Sequence, residues 1–343
     1  MKKIFWTIIS IAVLTFSSCS NKVDLYSNDA DNTIIYAMLD AYSDTNYVKV
    51  TKSFAGNIDE IAPIYDSTNY QYGEIEVTIS GIFEGSSSTQ TIHLDTISKF
   101  VAQDDNTPFY SNCWQTYYYT TAKLKEGNEY TINVHRVADS VDISATTNTI
   151  NNFRIIEPVI VNTGLKFKDA KRGKVKWKVE EFPCLSTAAY FSVTGYFHYS
   201  ELMPGATDTV KRSIAWGFGS GEADKLFNTT DLYYMVNYTP EALFDVIGND
   251  QYLKNNSPYA VKRWFEKFEI RVSAIGDELY KYNLVNNSSS AIQDVPNYSN
   301  VENGQGLVSS RVSKSNFYKI NILSRNYIKE LYPTYGFIVD PNR

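Results

Sequence analysis

The chain has 343 residues, with 32 lysines and arginines against 38 aspartates and glutamates, and a formal net charge of −6. This acidic balance argues against nucleic acid or anionic lipid as the partner, because both attract basic patches. Tyrosine, phenylalanine and tryptophan make up 15% of the residues, and this aromatic content together with many Ser, Thr and Asn favours strands and turns over helices. The length of the chain suits two domains.

The chain begins with the pattern of an export signal. Two lysines precede an apolar run from Ile4 to Phe16, and the small-residue site Ser17-Ser18-Cys19 follows it. The run is shorter than the roughly 20 residues that a membrane-spanning helix needs, so we interpret residues 1–18 as a cleaved lipoprotein signal peptide. The pattern resembles a bacterial lipobox, although Phe16 stands where Leu or Val is usual. This resemblance implies that Cys19 carries acyl chains such as palmitate. The alternative is an ordinary secretory signal.

The residues after Cys19 bear on location. Ser20 is not the Asp associated with retention at the inner membrane, which favours an outer-membrane anchor on the periplasmic or cell-surface face. Two or more acyl chains, at about 0.8 kcal/mol per buried methylene, make release negligible. Residues 19–32 have no apolar period, so the sequence predicts a flexible tether between the membrane and the first domain.

Short segments of alternating apolar residues occupy residues 33–150. Their spacing predicts an immunoglobulin-like antiparallel β-sandwich. The predicted strands are Thr33 to Leu39, Tyr47 to Phe54, Glu74 to Phe83, Gln90 to Leu94, Trp114 to Leu124 and Glu129 to Arg136.

Residues 151–343 predict a second β-rich domain with a few short helices, after a linker near residue 150, so the whole chain is expected to be mainly β. A Thr-Pro-Glu sequence at residues 239–241 is a strong helix start. Strands are predicted at Lys174 to Val179, Ala189 to Tyr199, Thr209 to Phe218 and Lys262 to Ile275, and helices at Ala242 to Ile247, Asp277 to Leu284 and Ser324 to Leu331.

Three passages together resemble the Bacteroidota outer-membrane lipoproteins catalogued as domain of unknown function 4249. The first passage, Ile34 to Gly56, contains two predicted strands and ends near a Thr-Lys-Ser-Phe signature. The second, Leu124 to Thr147, contains a strand with the pattern Gly-x-x-Tyr and ends with the sequence Ser-Ala-Thr. The third, Val295 to Ser313, is an Asn- and Gly-rich loop before a final strand. The resemblance implies an immunoglobulin-like first domain, a β-rich second domain and association with an outer-membrane receptor or transporter. It implies no catalytic residue.

Four triplets that begin with Asp-Ser or Asp-Thr resemble the O-glycosylation sequence of exported Bacteroidota proteins. The hydroxyl residues of these triplets, which we predict as glycan acceptors, are Ser67, Thr96, Ser140 and Thr209.

The sequence contains no recognisable catalytic constellation. Its three histidines, His93, His135 and His198, fall in separate predicted strands, and we interpret them as structural or surface residues. No His-Glu-x-x-His or paired Cys-x-x-Cys motif occurs, so we expect neither a metal site nor a cofactor. The glycine-rich stretch from Gly217 to Gly221 lacks the lysine of a phosphate loop and is interpreted as a β-turn.

Two side-chain types leave alternatives open. Trp114, Tyr117 and Tyr118 are candidates for contact with a glycan, because flat aromatic rings stack on sugars, although core packing is the commoner role. Adjacent residues of a strand point to opposite faces, so at least one of the two tyrosines should face outward. Cys113 and Cys184 are compatible both with one disulfide and with two thiols.

These observations predict a non-enzymatic, lipid-anchored lipoprotein of the cell envelope that acts as an accessory or interaction module. A glycan-binding surface lipoprotein for polysaccharide uptake is one alternative, and a fimbrial or surface-polymer subunit is another. An enzyme would need a cleft that gathers acidic residues without any sequence signature.

Overall fold

The computed structural model describes residues 32–53, 71–101, 113–180, 185–287 and 298–340. These residues form a mainly β structure with a few short helices, as the sequence predicted. The strands are β1 (Thr33–Leu39), β2 (Asn46–Lys52), β3 (Ile75–Gly81), β4 (Gln90–His93), β5 (Asp95–Val101), β6 (Cys113–Thr120), β7 (Glu129–Arg136), β8 (Val141–Asn148), β9 (Phe153–Glu157), β10 (Gly173–Val179), β11 (Tyr190–Leu202), β12 (Val210–Glu222), β13 (Phe227–Asn228), β14 (Tyr233–Tyr238), β15 (Lys262–Ile275), β16 (Val301–Glu302), β17 (Gln305–Tyr318) and β18 (Phe337–Ile338). The helices are α1 (Ala223–Leu226), α2 (Ala242–Asn249), α3 (Gln251–Asn255), α4 (Asp277–Asn287) and α5 (Ile322–Leu331), and a 3-10 turn spans Pro333–Tyr335.

The strands form three sheets. The largest has the order β12-β11-β15-β17-β1-β2-β6-β5, with β18 beside β15. A five-stranded sheet has the order β16-β8-β7-β3-β4, and a four-stranded sheet has the order β13-β14-β10-β9.

Strands β1, β2 and β6 of the largest sheet face the five-stranded sheet in a first sandwich. Ile35 and Val50 from the largest sheet share one buried cluster with Ile132 and Ile143 from the smaller one. In β1 the buried and exposed positions alternate, because successive side chains of a strand point to opposite faces. The alternation seen in the sequence therefore places the core of this sandwich.

The four-stranded sheet covers the other half of the largest sheet in a second sandwich. Trp177 of β10 packs its ring 5.2 Å from that of Phe191 of β11 and 5.8 Å from that of Tyr234 of β14. Leu243 of α2 and Ile328 of α5 are buried in the same cluster. Aromatic rings thus pack against one another between these two sheets.

One strand belongs to both sandwiches. Residues 305–310 of β17 pair in parallel with β1, whereas residues 311–318 pair antiparallel with β15. Val308 accordingly lies in the first core, and Val312 and Tyr318 lie in the second. The residues at the predicted linker, Thr149 and Ile150, are fully buried. The sandwiches are therefore joined by a continuous sheet as well as by the chain near residue 150, and no local pattern in the sequence predicts the shared sheet.

The glycine-rich stretch is not the β-turn that the sequence suggested. Gly217 to Gly221 lies inside β12, where Val193 of β11 pairs with Gly219 and the next residue pairs with Gly217. Phe218 is the extra residue of this bulge, and its ring stacks 4.1 Å from that of Tyr238. The glycines accompany a strand irregularity that turns Phe218 toward the core.

Candidate binding surface

The outer face of the first sandwich carries a group of aromatic and basic side chains that we call the tyrosine face. Its members are Tyr36 of β1, Tyr47 and Lys49 of β2, Lys99 of β5 and Tyr117 of β6. Tyr36 is directly opposite Lys49 in the register of β1 and β2. Because these strands are neighbours in one sheet, side chains far apart in the sequence are brought onto one surface.

Cation–π contacts link the tyrosines and lysines of this face. The Lys99 ammonium lies 3.8 Å from the centre of the Tyr47 ring and 5.7 Å from that of Tyr117. The Lys49 ammonium lies 5.7 Å from the Tyr117 ring and donates a hydrogen bond to Gln115 Oε1 at 2.5 Å. Such contacts contribute about 0.5–1 kcal/mol each at exposed sites, and they fix the orientation of the rings. The face therefore presents flat rings beside ammonium donors.

A shallow cavity of about 410 Å³ lies on this face, with Tyr36, Tyr47 and Tyr117 among its walls. Asp40 and Asn46 also line the cavity. Burial raises the pKa of the Asp40 carboxyl, and the nearby Lys314 ammonium partly offsets that effect. Aromatic rings with convergent polar groups in a concavity are typical of sites that bind small molecules or exposed segments of a partner.

The three aromatic residues predicted as glycan contacts have different environments. Tyr117 faces outward on the tyrosine face. Tyr118, the next residue, points into the first core and is 8% exposed, so it cannot present its ring to a glycan, and this part of the prediction is corrected. Trp114 is 62% exposed and packs edge-on against Phe100 of β5, with ring centres 5.7 Å apart. Residue parity places Trp114 on the opposite side of β6 from Tyr117.

Three of the predicted glycan acceptors are exposed. Thr96 lies in β5, which is an edge strand of the largest sheet, and Thr209 immediately precedes β12. Ser140 lies in the turn between β7 and β8 with a φ of 56°. Their exposure makes the hydroxyls accessible to a glycosyltransferase, and their modification stays a prediction.

Other predicted site residues fall outside the part of the chain that the structure describes. Cys19, Ser67 and Cys184 are not among the described residues, nor is the side chain of Cys113. The lipid anchor and the alternative states of the two cysteines therefore stay predictions.

The histidines differ in their surroundings. His93 is exposed at the end of β4, and half-buried His135 contacts the Asp142 carboxylate at 2.7 Å on the neighbouring strand. His198 is half-buried on the outer face of the second sandwich, and its Nε2 lies 2.9 Å from Glu269 Oε2. His198 thus has a specific partner, which its position in the sequence does not reveal.

Glu269 is a buried carboxylate with three donor partners. It accepts hydrogen bonds from Arg271 Nε at 2.9 Å and from Ser315 Oγ at 2.6 Å, in addition to its contact with His198. Burial alone would raise the pKa of Glu269, but the hydrogen bonds from Ser315, His198 and Arg271 outweigh burial and lower that pKa. Glu269 is thus held as an anion that orients His198.

No local signal in the sequence identifies this cluster, because residues 198 and 269 are 71 positions apart and meet only through the pairing of β11 with β15. Within β15 itself, Glu269 and Arg271 are two residues apart and therefore share one face of the strand.

Comparisons with known proteins do not assign the chain to a family. No protein-family model matches it, and no curated protein sequence matches it either. In the part of the chain that the structure covers, no helix is both long and apolar enough to span a membrane. Within those same residues, no three His, Cys, Asp or Glu side chains are grouped so as to hold a metal ion.

Proposed function

We propose that this chain is a non-enzymatic lipoprotein, anchored through Cys19 in the outer membrane, that binds a partner of the cell envelope through the tyrosine face. The observation that carries the binding role is the group Tyr36, Tyr47 and Tyr117, which is held outward beside two lysines. Tyrosines are enriched in protein interfaces because one ring offers a large apolar area and a hydroxyl at low entropic cost. The partner implied by the family resemblance is an outer-membrane receptor or transporter.

The anchor is tested separately from the binding face. Cys19→Ala, or treatment with the signal-peptidase inhibitor globomycin, should leave the protein as its precursor or release it from the membrane fraction. An unchanged, processed protein in the membrane fraction after Cys19→Ala would contradict lipid anchoring.

The binding role is tested by cross-linking and co-purification from detergent-solubilised membranes of the native host. A double variant, Tyr36→Ala with Tyr47→Ala, should lose the co-purified envelope protein. Tyr259→Ala is the matched control, because Tyr259 is 99% exposed and lies in the second sandwich region, away from this face. Equal recovery of the partner by the double variant and the control would contradict the assignment of the face.

A glycan is the second candidate ligand, and the exposed ring of Trp114 specifically favours it. Stacking of a sugar on this indole would be independent of the tyrosine face, because the two lie on opposite sides of β6. A glycan array should show binding that Trp114→Ala abolishes and Tyr259→Ala retains. If the array shows no binding, or if Trp114→Ala binds as the unmodified protein does, this candidate is removed.

A further inference from the structure

The outer face of the second sandwich has a cavity at an irregularity between β11 and β15. Phe197 pairs with Phe268 and Tyr199 pairs with Phe265, so Glu266 and Lys267 both lie opposite the single residue between Phe197 and Tyr199. Two residues opposite one define a β-bulge, which redirects side chains and is over-represented beside functional sites.

This cavity, which we call the bulge cavity, has a volume of about 310 Å³. Pockets for small ligands usually have volumes of about 300–1,000 Å³, so its size suits a ligand of roughly one sugar ring. Its walls include His198, Lys211, Glu266, Lys267, Glu269 and Phe317.

The acidic groups of the bulge cavity are already engaged. Glu269 accepts hydrogen bonds from Arg271 and Ser315 and contacts His198, and Glu266 accepts a hydrogen bond from Ser200 Oγ at 2.5 Å. Because protein donors already occupy acceptor positions on both carboxylates, fewer of these positions remain for a cationic ligand.

Two of the three basic groups are in the opposite situation, whereas the third, Arg212, is paired with Glu201. Lys211 of β12 and Lys267 of β15 form no ion pair or side-chain hydrogen bond with any residue that the structure describes. β11 lies between their strands, and strands are spaced by about 4.8 Å, so these two strands are roughly 10 Å apart and both flexible side chains can reach one group above His198. The cavity therefore offers two ammonium groups to an anion.

An aromatic wall adds a second recognition element. Phe317 of β17 is 47% exposed and is directly opposite Glu269 in the register of β15 and β17. An exposed ring beside two cations matches a ligand that has both a flat apolar surface and a carboxylate. A sugar acid has this combination, because one face of its ring presents C–H groups.

We propose that the bulge cavity binds a carboxylate-bearing sugar of the uronic acid class. Lys211 and Lys267 bind the carboxylate, and Phe317 packs against the ring. His198, oriented by Glu269, faces the ligand hydroxyls. The site lies on the second sandwich, so it is independent of the tyrosine face and of the lipid anchor.

The test is calorimetric titration of the purified mature protein with glucuronic acid, with glucose and with inorganic phosphate. Glucuronic acid should bind saturably and at least about tenfold more tightly than either of the others, because only it supplies both the charge and the ring. Lys267→Gln, Lys211→Gln and Phe317→Ala should each weaken this binding about tenfold or more, with retained folding checked by circular dichroism. Lys262→Gln is the matched control, since Lys262 is an exposed lysine of β15 outside the cavity.

Three results would overturn the proposal. These are the absence of saturable binding of glucuronic acid, equal affinity for glucose or phosphate, and an equal loss of affinity in Lys262→Gln. None of them bears on the anchor at Cys19 or on partner binding by the tyrosine face.

Discussion

At the scale of single residues, the second sandwich contains a buried ion pair with a full set of partners. Glu201 and Arg263 are 1% and 0% exposed, and Arg263 Nε lies 2.7 Å from Glu201 Oε2. The other carboxylate oxygen accepts hydrogen bonds from Arg212 Nε at 2.8 Å and from the Tyr252 hydroxyl at 2.7 Å. Both oxygens are thus satisfied, which buried charges require in order to offset their loss of hydration.

Removing one partner should leave the other charge buried without compensation. We expect Glu201→Ala to lower the free energy of unfolding by about 3–5 kcal/mol, measured by urea denaturation at neutral pH. Glu129→Ala, at an exposed position of β7, should change it by less than about 0.5 kcal/mol. A loss below about 1 kcal/mol for Glu201→Ala would contradict this account.

The same carboxylates predict how stability depends on pH. Burial raises the pKa of Glu201, but hydrogen bonds from Tyr252, Arg212 and Arg263 outweigh it and hold that pKa below the ordinary value of 4.5. The pKa of Glu269 is lowered as well, against burial, by Ser315 and its other donors. A lowered pKa in the folded state means that the stabilisation is complete above the unfolded-state pKa and is lost as pH falls through the folded-state pKa.

We therefore expect the free energy of unfolding to fall as the pH decreases below about 4.5, the ordinary value for Glu. Glu269→Gln removes one of the titrating groups, so the difference in stability between this variant and the unmodified protein should shrink with falling pH. Urea denaturation at several pH values between neutrality and about pH 3 measures this. A difference that stays constant across the range would show that Glu269 titrates normally.

At the scale of elements, the close approach of β17 to β1 joins the two sandwiches. Gly306 has a φ of 125°, and a Cβ built on it would lie 2.0 Å from the Ile35 carbonyl oxygen. Only glycine fits here, since the backbone conformation and the contact with a backbone atom both exclude a side chain. The joint between the two sandwiches depends on this residue.

Gly306→Ala should lower the free energy of unfolding by more than about 2 kcal/mol or prevent folding, because β1 would have to move away from β17. Gly217→Ala is the control, since a Cβ at Gly217 in β12 would have no atom within 4 Å. Thermal unfolding followed by circular dichroism compares the two. Equal melting temperatures would contradict the assigned role of Gly306.

The elements also show what alternation in a sequence can and cannot predict. β1, β7 and β15 have the predicted bounds, because their apolar residues alternate and one face of each strand is buried. β5 was not predicted, since all of its described side chains are exposed and no buried face imposes a pattern. β8 was not predicted either, and its buried positions include the small or polar Ala145 and Thr147.

At the scale of the whole molecule, the shared strand and the buried connection near residue 150 couple the two sandwiches. Separating them would break the β1–β17 ladder and expose Val308 and Ile150, which are fully buried. Two-domain proteins with flexible linkers have no such shared ladder.

We expect both sandwiches to unfold in one cooperative transition. Urea unfolding should give the same midpoint when followed by hydrogen exchange at β7 in the first sandwich and at β10 in the second. A fragment of residues 33–150 lacks β17, so β1 would become an uncovered edge and the fragment should unfold at a lower denaturant concentration. Two separate midpoints in the full chain would contradict the coupling.

The β-rich class, most of the strands and the starts of α2 and α4 follow from the sequence alone, as does the prediction of a lipid anchor at Cys19, because each depends on residues that are neighbours in the chain. Three features required the folded chain: β17 belongs to two sandwiches, Tyr117 is outside while Tyr118 is inside, and Glu266 and Lys267 share the bulge cavity with His198. These features depend on strand pairing over long sequence separations. A shift of one residue in such a register exchanges the two faces of a strand, and a bulge arises only from the pairing.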